Sequence, residues 1–245
     1  MVVLVTRAAP DNDATAEALR RRGFEPLLAP MLSFQALRFQ IEQGREFRGL
    51  IFTSTNALRS IAASPQLTRL QDLPVFAVGA RTAQAARDVG FQNVRAAEGD
   101  ASALRDLILA KAPERRGVAP LLYLSATDVS RDLGGELGLR GVNVAAIAVY
   151  RMVQLDDFAE PVRAAFASQT IEAVLHYSRR SALAFIRAVQ RSGQEITALA
   201  LPQFCLSEPI AADLREAGAT RLSVAKAPTE ADLLDALEQV LRAKP

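Results

Sequence analysis

The chain has 245 residues, half of them hydrophobic and 23% charged, which is enough for two ordinary domains with real cores. A net charge of only +2, with no basic stripe interleaved with aromatics, argues against a nucleic-acid partner. One cysteine excludes an internal disulfide, and no apolar run reaches the length of a membrane span.

The opening MVVLVTR has no positively charged region ahead of its apolar run. It therefore reads as a first strand near 2–6 and not as a secretion signal, and a reducing cytoplasm is expected. A helical pattern at 14–22 and a strand near 25–29 follow. Then come a strand at 49–53, a helix at 56–63, a strand at 74–78, a helix at 82–89, a strand at 93–97 and a helix at 102–111. The second half gives strands at 120–124, 142–149 and 172–177, a helix at 181–192, a strand at 203–207, a helix at 210–217, a strand at 221–225 and a helix at 230–243. These ten strands lack clean alternation, as expected of sheets covered on both faces. Strand and helix alternate, which implies parallel sheets with crossover helices. Gly23, Gly90, Gly193 and Gly218 fit left-handed helix stops. Asp100 or Ser102, and Pro228-Thr229-Glu230, fit helix starts. The runs Arg20-Arg21-Arg22 and Arg115-Arg116 read as solvated charge near helix ends.

The chain also repeats itself. Residues 75–97 lie over 203–225 without a gap, matching Phe76 with Phe204, Arg87 with Arg215 and Gly90 with Gly218. Residues 3–26 lie over 121–144, pairing Arg22-Gly23 with Arg140-Gly141, and 50–61 resembles 173–186 more loosely. The units run a-b-c-a-b-c, so two similar α/β domains are expected, with function in the cleft between them. A tandem division would cut near Gly117. An interleaved one would join the first unit to the last two, through crossings near 31–36 and 149–153. The order of units allows both.

In parallel sheets ligands sit beyond the C-terminal strand ends. Here those positions read Thr6-Arg7, Thr53-Ser54-Thr55-Asn56, Gly79-Ala80-Arg81-Thr82, Ser125-Ala126-Thr127, Tyr177-Ser178-Arg179-Arg180-Ser181 and Ser207-Glu208. Hydroxyls and helix-start N–H groups favour anions, so a polyanion is the expected ligand. The lone His176 lies within a strand pattern and has no second component for a triad or a metal site, so it is expected to be buried and hydrogen-bonded. Cys205 is expected to be structural. No glycine loop or dinucleotide fingerprint is present, and nothing calls for a cofactor or a metal. Any catalysis must rest on positioning, hydrogen bonds and a weak acid.

The stretches VLVTR, FTSTNAL, VFAVGARTAQAARDVGF, RGVNVAAIAVYR, YSRRSALAF and APTEADLLDAL, taken in this order, resemble uroporphyrinogen-III synthases. The resemblance implies two flavodoxin-like, doubly wound parallel-sheet domains joined by a two-stranded connector. One would hold 1–33 and 154–245, the other 37–149, closing by domain rotation. It implies a cofactor-free reaction in which hydroxymethylbilane, a linear tetrapyrrole with eight carboxylates, loses water and closes with inversion of ring D. The implied path passes through an azafulvene and a spirocyclic pyrrolenine. Tyr150 of AVYR would help the hydroxyl leave, since a phenol titrates near pH 10 and can donate at neutral pH. Thr82, Ser54 and Ser178 match family positions at the substrate, and Thr6, Arg7 and Ser207 complete the expected binding set. Arg81, Arg179 and Arg180 would help draw in the anion. Two departures stand out: Ile210 occupies a usual threonine position, and Ser125-Ala126-Thr127-Asp128 lacks the usual Arg-Gly. A cytoplasmic monomer is expected, since no long exposed apolar helix suggests an obligate partner; neither nucleic acid nor membrane is expected, and contact with the enzyme that supplies hydroxymethylbilane would be transient. The alternative is a non-enzymatic two-domain sensor or carrier of a small polyanion.

Overall fold

The computed structural model describes residues 1–111, 119–129 and 131–242; the Arg115-Arg116 run and the candidate boundary at Gly117 lie outside the described residues. In chain order the elements are β1 (Val2–Val5), α1 (Asp11–Arg21), β2 (Glu25–Leu28), β3 (Leu32–Ala36), β4 (Gly49–Phe52), α2 (Thr55–Ile61), β5 (Val75–Val78), α3 (Gly79–Asp88), β6 (Val94–Ala97), α4 (Ala101–Lys111) and β7 (Leu121–Ala126). They continue as α5 (Leu133–Gly138), β8 (Val144–Gln154), α6 (Glu160–Ala167), β9 (Ile171–His176), α7 (Arg179–Arg191), α8 (Glu195–Ala200), β10 (Gln203–Cys205), α9 (Glu208–Glu216), β11 (Leu222–Val224) and α10 (Glu230–Arg242). The ten expected strands are all found. The short helices α5, α6 and α8 were not expected, and α1 starts three residues early, with Asp11 and Asp13 favouring its positive N-terminal end.

The chain divides into two compact units, Met1–Ser33 with Val153–Pro245, and Phe34–Met152. The first unit's sheet has the order β11-β10-β9-β1-β2, with every neighbouring pair parallel. Renumbered along the chain, that is 2-1-3-4-5, the flavodoxin-like winding. The second sheet runs β3-β8-β7-β4-β5-β6, parallel from β8 to β6. The sequence repeat maps directly onto this topology. Val3 pairs with Pro26 as Leu121 pairs with Val144, and Val75 pairs with Val94 as Gln203 pairs with Leu222. The looser repeat supplies the central strands β9 and β4. Equivalent segments therefore hold equivalent slots in both sheets.

The unbroken apolar runs are explained by burial on both faces. In β1, Val3 and Val5 join a core with Leu19, Leu233 and Leu237, whereas Leu4 joins one with Phe166 and Phe185. In β4, Leu50 and Phe52 face Leu58 and Phe91, while Ile51 faces Leu104 and Leu137. Each fully buried Leu, Val or Phe contributes about 1.5–3 kcal/mol relative to an exposed one. Gly90 and Gly218, equivalent in the repeat, end α3 and α9 at φ of 107° and 105°, where a side chain would be strained.

At the chain crossings, β3 borders β8, which runs five residues beyond its expected end at 149. Leu37 N–H donates to Val149 O (2.8 Å) and Leu155 N–H to Met31 O (3.0 Å). One partner's number rises as the other's falls, so this ladder is antiparallel.

Candidate active site

In the second unit, β7 and β4 are neighbours whose following connections lead to opposite edges of the sheet. That is a topological switch point, where the carboxyl ends of strands leave a crevice. A pocket of about 180 Å³ lies there, its walls including Thr53, Ser54, Tyr123, Arg131 and Tyr150. Tyr150 comes from β8, where it pairs with Ala126 just after a register shift. The residue is 7% exposed, and its ring stacks on that of Phe34 with centroids 5.8 Å apart. Arg59 covers Phe34 in turn, at 4.5 Å. The phenol is thus held by aromatic packing.

Tyr123 enters the pocket from β7, and its hydroxyl lies 2.9 Å from Thr53 Oγ1. Burial pushes the Tyr123 phenol pKa up, the Thr53 hydrogen bond opposes that, and nearby Tyr150 adds to it. Arg131 is committed within the wall. It donates to Glu136 through Nε (2.5 Å) and Nη2 (2.6 Å), and to Ser102 Oγ (2.6 Å). The Arg131 hydrogen bond holds the Glu136 carboxyl down at about 2, with Arg105 assisting. Ser54 caps α2 by accepting from Asn56 N–H at 3.1 Å. Thr82 is buried on α3, outside this pocket.

The equivalent crevice of the first unit, beyond β1 and β9, is filled by the protein's own carboxylate. Glu230 Oε1, from the first residue of α10, accepts from Arg7 Nη1 (2.9 Å), Thr15 Oγ1 (2.5 Å) and Tyr177 Oη (3.0 Å). Arg7 also lies 4.5 Å over the Tyr177 ring and 3.5 Å from Asp11. Desolvation pushes the Tyr177 phenol pKa well up. Arg7 is therefore anchored to acids at this strand end.

Thr6, expected at the ligand, is turned into the sheet. Its hydroxyl (2.8 Å) and its N–H (3.2 Å) both donate to Leu175 O, and the residue has no exposed surface. The physical reason is that β1 lies inside the sheet, covered on both faces, so its end residue is consumed by β9. Ser178 is exposed and caps α7, accepting from Ser181 N–H at 3.2 Å. Ser207 occupies the cap position of α9 without a side-chain bond, its carbonyl accepting from Ile210 N–H at 3.1 Å. Arg179 grips Asp213 with two 2.7 Å bonds that lower the Asp213 carboxyl pKa. Of the seven expected site residues, Ser54 and Tyr150 share one pocket, Thr82 lies elsewhere in that unit, and Thr6, Arg7, Ser178 and Ser207 belong to the other.

Ile210, which stands where a threonine was expected, is a core residue beside Phe185 and Leu214. The repeat places Ile210 over Thr82, and both are buried near the start of their helices. The position thus faces inward in both units.

The family model described as uroporphyrinogen-III synthase HemD matches residues 13–235. The chain belongs to the uroporphyrinogen-III synthase family. Its fold is that of a Helicobacter pylori uroporphyrinogen-III synthetase crystal structure, with TM-score 0.67 and 20% identity, covering 98% of this chain and 99% of that one. It also matches a mutant uroporphyrinogen III synthase from the extremely thermophilic bacterium Thermus thermophilus, with TM-score 0.60 and 17% identity over the whole of both chains. Comparison with curated protein sequences finds no match.

Tyr123 at the pocket and the clasp of Glu230 by Arg7, Thr15 and Tyr177 are not legible in the sequence. Thr53 stood among the strand-end hydroxyls, but Tyr123 sits inside the run LLYLSA and reads as core. Only the pairing of Ile51 with Tyr123 brings its hydroxyl to Thr53.

Proposed function

We propose that the chain closes hydroxymethylbilane to uroporphyrinogen III with loss of water and inversion of ring D, and that Tyr150 is its proton donor. Family membership supports the reaction, and the observation that carries the residue is Tyr150, fixed by Phe34 in the wall of a hydroxyl-lined pocket at the switch point. The non-enzymatic binder is not favoured. Tyr150 gives its proton to the hydroxymethyl oxygen of ring A, the C–O bond breaks, and water leaves. Electron density from the ring A pyrrole stabilises the carbon left behind, giving an azafulvene-type electrophile. The substituted carbon of ring D attacks it, forming the spirocyclic pyrrolenine, and bond cleavage and recombination invert the ring. The proton released when ring D regains aromaticity restores the phenol. The balance is one tetrapyrrole in, one macrocycle and one water out.

No step requires a strong acid. The difficulty is to bring two distant ends of a chain into one productive pose, and positioning of this kind supplies about 7–11 kcal/mol in favourable cases. On this reading, strand-end N–H groups and hydroxyls, among them Ser54, Ser178, Ser207 and the α3 segment with Thr82, hold substrate carboxylates. Arg7 and Arg179 contribute long-range attraction, weakened by their own acidic partners and by salt. The protein is read as a cytoplasmic, lyase-type monomer that receives hydroxymethylbilane by transient contact with the enzyme that makes it.

The test is to supply freshly made hydroxymethylbilane and measure the ratio of type III to type I product. Added protein should make type III dominant; an unchanged type I background would refute the reading. Tyr150→Phe should lower kcat by about a hundredfold, as loss of a general acid does, with product affinity nearly unchanged. Equal losses in turnover and affinity would contradict the donor role.

A further inference from the structure

The mechanism above leaves two hydroxyls in the Tyr150 pocket unused. Thr53 Oγ1 and Tyr123 Oη lie 2.9 Å apart, and both residues line the pocket. Each hydroxyl carries one proton and two acceptor sites. Whichever of the two donates to the other, the pair keeps a second proton and spare lone pairs for a third group.

Comparison of the two crevices indicates what that group is. In the first unit, Glu230 is the residue after the α10 cap Thr229, and it draws Arg7, Thr15 and Tyr177 onto a carboxylate oxygen. In the second unit, the residue after the α4 cap Asp100 is Ala101, which lines the pocket without filling it. The first crevice is thus built around a carboxylate. Among the described residues, the one guanidinium lining the second, Arg131, is turned onto Glu136 and Ser102. With that guanidinium committed, the Thr53–Tyr123 pair itself offers hydroxyls and no cation, which suits a neutral hydroxyl at that point of the pocket. Ser54, at the start of α2, is left for a carboxylate of the same ring. The volume of about 180 Å³ lies below the roughly 300 Å³ at which pockets enclose drug-sized molecules. It suits one pyrrole end and not a tetrapyrrole.

We propose that the Thr53–Tyr123 pair seats the hydroxymethyl group of the substrate against Tyr150, which makes Tyr123 a positioning residue for the loss of water. The proposal rests on the reading of the reaction and of Tyr150 given above. The pair donates one hydrogen bond to the departing oxygen and transfers no proton. The proton comes from Tyr150, the C–O bond breaks, and the oxygen leaves as water. The hydrogen bond keeps the oxygen within reach of the phenol while that bond lengthens.

The experiment compares Tyr123→Phe, Thr53→Val and Thr53→Ser with the wild type in hydroxymethylbilane turnover, with melting temperature measured on each. Tyr123→Phe and Thr53→Val should each lower kcat about 3- to 10-fold, the worth of one neutral hydrogen bond made in the transition state, with KM little changed. Thr53→Ser should restore turnover, and the double variant Tyr123→Phe/Thr53→Val should be no slower than the slower single one. An unchanged kcat in Tyr123→Phe, a rise in KM alone, or losses that multiply in the double variant would overturn the positioning role. A fall in kcat that merely tracks a lowered melting temperature, without rescue by serine, would do the same. A wild type that forms no type III product would instead defeat the reading of the reaction, and this proposal with it, so the two failures are distinguishable.

Discussion

His176 lies wholly buried in β9, its Nε2 2.9 Å from Gln203 Oε1 and its ring edge-on to Phe185 at 5.1 Å. Gln203 completes its own bonding through Nε2 to Ala198 O (2.7 Å) and Leu201 O (3.0 Å). Burial lowers the imidazole pKa from its ordinary 6.5 to about 4, with the Gln203 bond opposing. Protonation therefore favours the unfolded chain. The stabilising contribution is complete above pH 6.5, falls as pH drops toward 4, and amounts to about 3 kcal/mol over that window. The register of β4 and β9 places Phe52 in the equivalent slot. Urea titrations at pH 4 to 7 should show His176→Phe losing less stability on acidification than the wild type; parallel curves would refute the assignment. Cys205 matches its structural expectation, being fully buried with burial pushing its thiol up to about 12. Both residues were legible because each sits in an apolar strand run without chemical company.

Helices were legible where local chemistry marked their ends. Asp100 accepts from the N–H groups of Ser102 (2.8 Å) and Ala103 (3.2 Å), and Thr229 accepts from Asp232 N–H (3.2 Å). The long α7, capped by Ser178, buries Ala182, Phe185 and Val189 on one face. Ser178 was also expected at the substrate, and two substitutions separate these roles. Ser178→Ala should cost about 1 kcal/mol of stability and Ser178→Gly only a few tenths, because glycine suits a cap position. If the hydroxyl holds a substrate carboxylate, both should weaken product binding alike; a KM that recovers in the glycine variant would leave Ser178 as a cap alone. The helix α5 was not legible, since Gly134 and Gly135 are poor helix formers. It is held from outside, by the burial of Leu133 and Leu137 and by Arg131 and Arg105 on Glu136.

At the scale of the molecule, the two units differ in how far apart in sequence their central strands lie. The first sheet joins Val3 to Ala173, whereas the second joins Gly49 to Leu121. The longer closure costs about 0.8 kcal/mol more in chain entropy, so Phe34–Met152 should form first. Its folding brings Leu37 beside Val149, which shortens the loop that β1 and β9 must close. In pulse-labelling hydrogen exchange during refolding, amides of β4 and β7 should gain protection before those of β1 and β9; the reverse order would contradict this sequence of events. The sequence by itself determined the alternation of strand and helix, the repeated slots, the helix ends and, through resemblance, the family, because each is written in neighbouring residues or in a pattern copied along the chain. Only the tertiary structure decided that Thr6 is consumed by Leu175, that Glu230 fills one crevice, and that Tyr123 reaches Thr53 in the other. Those contacts join residues 53 to 223 positions apart. Sheet register and helix docking select them, and no local pattern specifies either.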